Sequence, residues 1–371
     1  MDPISYENGA ISLAEIEAAA NRIIGHAVVT PVLKCSALDE KAGLEVYFKC
    51  EVFQKTGSFK FRGAFNAISC LVSSTAEDTA AAENPSVPSV VTHSSGNHAA
   101  AIALAAKMHN ILAHIVVPSN TPRIKQEAVK SYGGNLILCE PTIEAREAGC
   151  AAVQAEHIGA AFIPPYNHPW VICGQGTIGL EFLQQMASLE LSSPATKDAA
   201  AAAANYHNNF SQLDAIIVPV SGGGMISGIA VAVKSLNPSI KIIAAEPCGK
   251  NNAADVAKCK AAGELMPCVK PDTICDGLQA RLGSITWPIV RDLVDEVVVV
   301  SEEQVVEAMQ LSYERMKVVV EPSGAAGLAA ALQLKQQKPE FAADVKKVGV
   351  VLCGGNVDFD GKVPGFWNMW L

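Results

Sequence analysis

"DAIIVPVSGGGMISGIA", residues 214–230, runs from an unbroken apolar segment through three consecutive glycines into a second apolar segment. An apolar run without polar alternation reads as a strand covered on both faces, the habit of parallel sheets flanked by helices. Gly222, Gly223 and Gly224 let successive N–H groups turn toward one point, and a helix N-terminus just beyond adds positive partial charge. The loop suits an anion, phosphate first among them, unless it only tightens the strand-to-helix turn. A Walker A loop needs Gly-Lys-Ser/Thr at its end, and this loop has none. The dinucleotide fingerprint G-x-G-x-x-G comes closer. Gly222 and Gly224 are correctly spaced, the third position is Ser227, and Glu246 ends the next strand where a ribose-binding acid would lie. A nicotinamide-dependent oxidoreductase is therefore a competing class at this point.

The same rhythm spreads outward. "SVVTH" (89–93), "ILAHIVVP" (111–118) and "LILCE" (136–140) read as strands, followed by helices over 99–108, about 122–132 and about 143–157. "KIIAAEP" (241–247), "DEVVVVS" (295–301) and "VGVVLCGGN" (348–356) continue the pattern, with a helix over 302–316. In "SLAEIEAAANRIIG" (12–25), Ser12 stands three residues before Glu15, which is the spacing of a capping box. The alternation predicts an α/β fold with mostly parallel sheets covered by helices. Two Ala/Ser/Asn-rich stretches, 73–89 and 187–212, break the rhythm and read as loop insertions.

Composition excludes several classes. Half of the 371 residues are hydrophobic and 18% are charged, so a large core is available and global disorder is excluded. The net charge of −9 and the lack of a long Lys/Arg cluster argue against nucleic acid or an anionic membrane as partner. No apolar run reaches the roughly 18–20 residues of a membrane span. The acidic N-terminus lacks a secretory pattern. Eleven scattered cysteines without a C-x-x-C pair suit reduced, buried thiols in a cytoplasmic protein.

"KTGSFKFRGA" (55–64) places Lys55, Lys60 and Arg62 in an apolar frame made by Phe59 and Phe61. Such a frame suits a reactive amine better than a solvated charge. "SSGNH" (94–98) lies between a strand and a helix, so Ser94, Ser95, Gly96 and Asn97 form either an anion-binding nest or an ordinary N-cap. His98 alone reads as a structural histidine. Cys353 and two glycines end the last strand, at the edge where open α/β sheets bind ligands.

Together "KTGSFKFRGA", "SSGNH", "SGGGM", "EPSGA" and "CGGNVD" occur in the order and at the spacing of the serine racemase and serine/threonine dehydratase family. These are pyridoxal-phosphate enzymes of fold type II, the tryptophan-synthase-β type. The wider match, including "FKCEVFQKTGSFK", "GQGTIGLEFL" and "TWPIVRDLVD", resembles eukaryotic serine racemases. The resemblance implies that Lys60 carries the cofactor as a Schiff base, with Phe59 against its ring. Ser221, Gly222, Gly223, Gly224 and Met225 would hold the phosphate, Asn97 would bind the 3′ oxygen, and Cys353 would face the pyridine nitrogen. The loop Ser94, Ser95, Gly96, Asn97 and His98 would bind the substrate carboxylate. Lys60 and Ser95 would serve opposite faces of Cα, while Arg146 and Asn167 match positions near the substrate. Two domains are implied, a discontinuous large one (1–89 and 159–371) and a small one (90–158). The expected enzyme is a cytoplasmic homodimer that racemises serine and also eliminates its hydroxyl. Serine/threonine or 3-hydroxyaspartate dehydratase activity is the alternative.

Some positions depart from the pattern. Glu246, Lys250 and Asn252 match a divalent-ion site, for Mg²⁺ or Ca²⁺, but Asn251 and Asn252 replace an acidic pair, so the site should be weaker or lost. Ala100 stands where mammalian relatives use glutamine in nucleotide binding, which argues against ATP activation. Arg281 replaces a usual serine, and is either a surface charge or a second carboxylate-binding group. Lys55 and Arg62 read as structural or surface charges.

Overall fold

The computed structural model describes residues 3–79, 89–94, 96–121, 123–191, 213–267 and 269–357. An antiparallel ribbon of β1 (Ser5–Tyr6) and β2 (Ile11–Ser12) leads into α1 (Leu13–Ile23). The larger sheet contains β3 (Val32–Lys34), β4 (Glu45–Lys49), β9 (Ala215–Pro219), β10 (Lys241–Pro247), β11 (Glu296–Val300) and β12 (Lys347–Val351). Its spatial order is β11-β10-β9-β12-β4-β3, and every pairing is parallel except that of the short edge strand β3 with β4. The smaller sheet contains β5 (Ser89–His93), β6 (Leu112–Pro118), β7 (Asn135–Cys139) and β8 (Ala161–Phe162), in the all-parallel order β7-β6-β5-β8.

The helices that cover these sheets are α2 (Ser36–Ala42), α3 (Lys60–Thr79), α4 (Asn97–Met108), α5 (Arg123–Ser131), α6 (Ile143–Glu156), α7 (Pro169–Leu191), α8 (Gly224–Leu236), α9 (Asp255–Ala262), α10 (Thr286–Leu293), α11 (Glu302–Leu311) and α12 (Pro322–Gln337). Each face of the larger sheet has its own core. Ile217, Ile243 and Val350 pack with Leu328 and Ala329 of α12, whereas Ile216, Val218 and Ile242 pack with Ile229 of α8 and Phe182 of α7. Burying both faces explains why these strands carry no polar alternation. Phe61, Phe65 and Ile68 of α3 pack with Val90, Ile102 and Ile115 of the smaller sheet and α4, so α3 sits against both halves. No helix among the described residues is long and apolar enough to cross a membrane.

The expected insertions are shorter than the sequence suggests. Helix α3 continues to Thr79 and β5 begins at Ser89, while α7 extends to Leu191; residues 80–88 and 192–212 lie outside the described ones. Ala- and Glu-containing segments propagate an existing helix readily, which composition alone hides. The helix expected over 302–316 ends at Leu311 and gives way to a π-turn, Ser312–Met316, with Lys317 at φ +61°. Ser312 Oγ donates to the Ala308 carbonyl at 2.8 Å, a back-bond that loosens a helix at this point. Ser12 accepts from the Glu15 amide at 3.4 Å, which is one half of the anticipated capping box.

Candidate active site

The site forms at the carboxyl edge of the larger sheet, where β12 runs out into Cys353, Gly354 and Gly355. The stretch 57–59 pairs with this exit. Phe59 N–H donates to the Cys353 carbonyl (3.0 Å), Gly355 N–H donates to the Gly57 carbonyl (2.9 Å), and Ser58 bridges Gly354. That pairing sets where α3 begins, and its first residue is Lys60.

Lys60 is half-buried, with its ammonium nitrogen 5.0 Å from the centre of the Phe59 ring. Nζ donates to the Pro165 carbonyl at 2.7 Å, and no carboxylate among the described residues pairs with it. Burial, only partly opposed by the nearby Cys353, lowers its pKa from 10.5 to about 8. Helix N-termini also disfavour a cation. At pH 7 about one such amine in ten is unprotonated, against about one in three thousand for an ordinary lysine.

The glycine loop, at the start of α8, is linked to Lys60 through Tyr166, which packs on Gly222 and follows the Pro165 that accepts from Lys60. Gly223 has φ +87°, which L-residues with side chains rarely adopt. A Cβ on Gly222 would lie 2.5 Å from the Tyr166 ring, so only glycine lets the loop approach that ring. Thr286 Oγ1 donates to the Gly222 carbonyl (2.7 Å), turning that oxygen away and leaving the N–H face of the cradle at the helix start. Ser221 is tied to Ala280 twice: its hydroxyl donates to the Ala280 carbonyl (2.8 Å) and accepts the Ala280 N–H (2.9 Å). Cys353 is 3% exposed, and its thiol donates to the Ser323 carbonyl at 3.6 Å. Burial, reinforced by Glu321, pushes its pKa far above that of a free thiol, so it stands as a neutral group.

A buried amine, a nest of N–H groups and a neutral thiol at one sheet edge are the parts a phosphorylated aldehyde cofactor requires. Residues 23–354 match the family model described as pyridoxal-phosphate dependent enzyme. The chain belongs to the pyridoxal-phosphate dependent enzymes. Among relatives of this family, a serine racemase of Arabidopsis thaliana is 46% identical over 97% of this chain and 97% of its own length. The structure of maize serine racemase superposes with TM-score 0.81 at 45% identity, covering 94% of this chain and 95% of that one. A pyridoxal 5′-phosphate-dependent aspartate racemase gives TM-score 0.81 at 37% identity, covering 97% of this chain and 99% of that one.

Pyridoxal phosphate fits the residues present. Side chains at Gly222 or Gly224 would collide with Tyr166, no described acid pairs with Lys60, and the buried Ser58 and Ser227 hydroxyls, near Lys60 and the cradle in sequence, have no partner among the described residues. Asn97, the first residue of α4, joins the same site. Its Nδ2 donates to Glu321 Oε1 (2.7 Å), and its Oδ1 accepts from Asn356 Nδ2 (2.8 Å), which also donates to the Thr56 carbonyl (2.7 Å). Burial raises the Glu321 pKa from 4.5 to about 7, with Asp276 adding to the rise.

Other sequence candidates are placed differently. Ser94 caps its own loop, accepting the Gly96 N–H at 3.3 Å, and Ser95 lies outside the described residues. His98 is buried with Nε2 3.1 Å from the Ile163 carbonyl, and burial lowers its pKa to about 3, so it is neutral. Asn167 is engaged with the 284–285 turn, accepting the Ile285 N–H (3.0 Å) and donating to Ser284 (3.3 Å). Arg146 on α6 has a buried Nε with no partner. Arg62, read as a structural or surface charge, is 1% exposed and structural: it grips Glu51 and Glu181.

Glu246 is neither a ribose acceptor nor a free metal ligand. Its two oxygens accept the N–H groups of Val256 (2.7 Å) and Ala257 (2.9 Å), capping α9. Lys250 N–H donates to the Asp272 carbonyl, and the Lys258 ammonium sits on the Asn252 (2.8 Å) and Ala253 (2.7 Å) carbonyls. Among the described residues no group of three His, Cys, Asp or Glu side chains could hold a metal ion. The donor set does not fit a divalent cation well, since its one carboxylate is engaged with α9 and the Lys258 ammonium brings positive charge onto the adjoining Asn252 and Ala253 carbonyls.

The sequence reading gave no role to Pro165, Tyr166, Glu321 or Asn356. A carbonyl oxygen carries no side-chain signal. Glu321 was visible in "EPSGA", but only its burial against Asn97 shows what it touches.

Proposed function

We propose that the chain is a serine racemase that interconverts L- and D-serine and also eliminates the β-hydroxyl to give pyruvate and ammonia. The observation that carries the proposal is Lys60: a desolvated amine at a helix start, facing an N–H cradle and a neutral thiol. The identity to serine racemases over nearly the whole chain supports the substrate. Bound pyridoxal phosphate supplies an electron sink for Cα.

The protein does the rest. Gly222, Gly223 and Gly224, with Ser221 and Met225, would hold the phosphate, Phe59 would lie against the ring, and Asn97 would bind the 3′ oxygen. Cys353, being neutral, leaves the ring nitrogen without an ionic partner, which favours racemisation and elimination over transamination. The first N–H groups of α4 would receive the α-carboxylate, in a loop whose shape is set by the Gly96 N–H donating to the Ser94 hydroxyl, with His98, Arg146 and Asn167 as further groups near the substrate. Lys60 takes or returns the Cα proton on one face, and Ser95 serves the other, as inversion requires. In elimination the β-hydroxyl leaves as water, and hydrolysis of the resulting enamine returns water and releases ammonia.

The same proposal includes closure of a small domain near 90–158 over the site, a cytoplasmic location, and a homodimer. Supporting the dimer, Ile24, Val28, Val29 and Phe53 are exposed near one another, Val28 being hydrogen-bonded to Gln54. A chiral assay on L-serine with parallel pyruvate measurement tests the reading. Ser95→Ala should lose D-serine formation while keeping pyruvate formation, and Lys60→Ala should lose both. A Ser95→Ala enzyme that racemises at the wild-type rate refutes the two-face assignment.

A further inference from the structure

Arg281 is a charged residue beside the cradle loop that the mechanism above does not use. It follows Ala280, whose N–H and carbonyl are both held by the Ser221 hydroxyl, so its backbone is fixed within one residue of the phosphate loop. Its charge reaches Tyr166, whose phenol is pushed up by burial and pulled back by Arg281. Tyr166 in turn packs its ring on Gly222 and follows Pro165, the residue that receives the Lys60 ammonium. Arg281 thus stands on the wall of the site that contains Lys60.

It is also uncommitted. The side chain is exposed and makes no hydrogen bond or ion pair with any described residue. Asp255 acts on the same phenol, but its carboxyl is directed to Glu246 and makes no ion pair with Arg281. A serine substrate carries one carboxylate, for which the 94–98 loop is available, and the cofactor phosphate has the cradle. A guanidinium on the remaining wall has no anion to meet unless the substrate brings a second one. Its flat fork matches a carboxylate in a two-point contact.

We propose that Arg281 forms a subsite for a side-chain carboxylate, so that the enzyme accepts aspartate or 3-hydroxyaspartate beside serine. The inference rests on the racemase and dehydratase reading above and specifies its substrate class. With 3-hydroxyaspartate, Lys60 removes the Cα proton, the β-hydroxyl leaves as water, and hydrolysis returns that water, giving oxaloacetate and ammonia. With aspartate, which lacks a leaving hydroxyl, only inversion at Cα follows.

The test compares kcat/KM for L-serine, L-aspartate and L-threo-3-hydroxyaspartate in the holoenzyme and in Arg281→Ser, Arg281→Lys and Arg146→Gln. Binding of malonate and of acetate, followed by calorimetry, gives a readout independent of turnover. Arg281→Ser should lower the dicarboxylate-to-serine ratio by about 10- to 100-fold, the worth of a charge-assisted hydrogen-bond pair. It should also abolish the preference for malonate over acetate; Arg281→Lys should restore part of both, and the pyridoxal-phosphate dissociation constant should stay within about twofold. An active enzyme whose ratio does not change in Arg281→Ser overturns the subsite alone. So does a preference that disappears with Arg146→Gln instead, or a loss of cofactor affinity with the ratio intact. A holoenzyme that turns over none of the three amino acids overturns the parent reading with it.

Discussion

Replacing Arg62 by methionine probes what holds the start of α3, and therefore Lys60, in place. Arg62 makes two contacts with Glu51 (Nε to Oε2 and Nη2 to Oε1, both 2.8 Å) and two with Glu181 (Nη1 to Oε2, 3.0 Å; Nη2 to Oε1, 2.9 Å). Lys49, fully buried, pairs with Glu181 as well, so two cations balance two carboxylates inside the protein. Without Arg62, two desolvated carboxylates face one ammonium. Breaking one partner out of a buried ion pair costs about 3–5 kcal/mol, roughly a fifth or more of a typical folding free energy. Arg62→Lys keeps the charge but loses the fork, and should cost about 1–3 kcal/mol. Arg62→Met combined with Glu51→Gln removes one charge of each sign and should recover about half the loss.

Urea denaturation followed by tryptophan fluorescence and circular dichroism reads these differences, and pH gives a second handle. Burial raises the pKa of Glu181, but Arg62, then Lys49, outweigh it and hold the group below the usual carboxylate range. In the wild type that stabilisation is complete above the ordinary pKa and is lost as pH falls through the depressed one. In Arg62→Met burial prevails at Glu181, that carboxyl titrates higher, and protonating it relieves the penalty. The stability gap between the two proteins should therefore narrow as pH falls from about 7 to about 5. A loss below about 1 kcal/mol at neutral pH, or a gap that does not narrow, refutes the reasoning.

Three shorter predictions concern the site itself. The rate at which cofactor-free protein takes up pyridoxal phosphate should climb with pH and level off above about 8; an inflection near 10 would show an ordinary amine. Gly222→Ala should weaken cofactor binding by about tenfold or more, because the new methyl meets Tyr166 at 2.5 Å, and Tyr166→Ala should restore it; unaltered affinity in the single variant contradicts the close approach. Glu321 is an acid whose folded-state pKa lies above its unfolded one, so folding takes up a proton between about 4.5 and about 7 and its contribution weakens as pH rises through that window. Glu321→Gln should flatten that decline in stability, and an unchanged slope in pH-dependent melting would count against it.

Strand β10 was legible to the residue because its apolar run is buried on both faces and bounded by Lys241 and Pro247. The three-residue edge strand β3 was not, since so short a segment has no period to detect. The glycine loop could be singled out because consecutive glycines carry their meaning locally, whereas Lys60 is separated from Lys55 and Arg62 only through the distant SGGGM and SSGNH loops. Arg62 carries no such mark: its partners stand 11 and 119 residues away, and nothing in "KFRGA" distinguishes a buried fork from a surface charge. The engagement of Glu246 with α9 was hidden likewise, because a capping carboxylate ten residues before its helix looks the same as a free one.

Strand β12 lies between β9 and β4, in the interior of the larger sheet, although it is the last of the described strands to be synthesised. Until it emerges from the ribosome, β9–β11 and β3–β4 have no hydrogen-bonded seam to join them, and the residues that pair with 57–59 do not yet exist. Insertion of this strand closes contacts about 300 residues apart, the kind of long-range step that slows folding and leaves sheet edges open to wrong partners. Cofactor loading must therefore wait for residues 347–356, and the folding protein depends on this strand arriving before those edges find another partner.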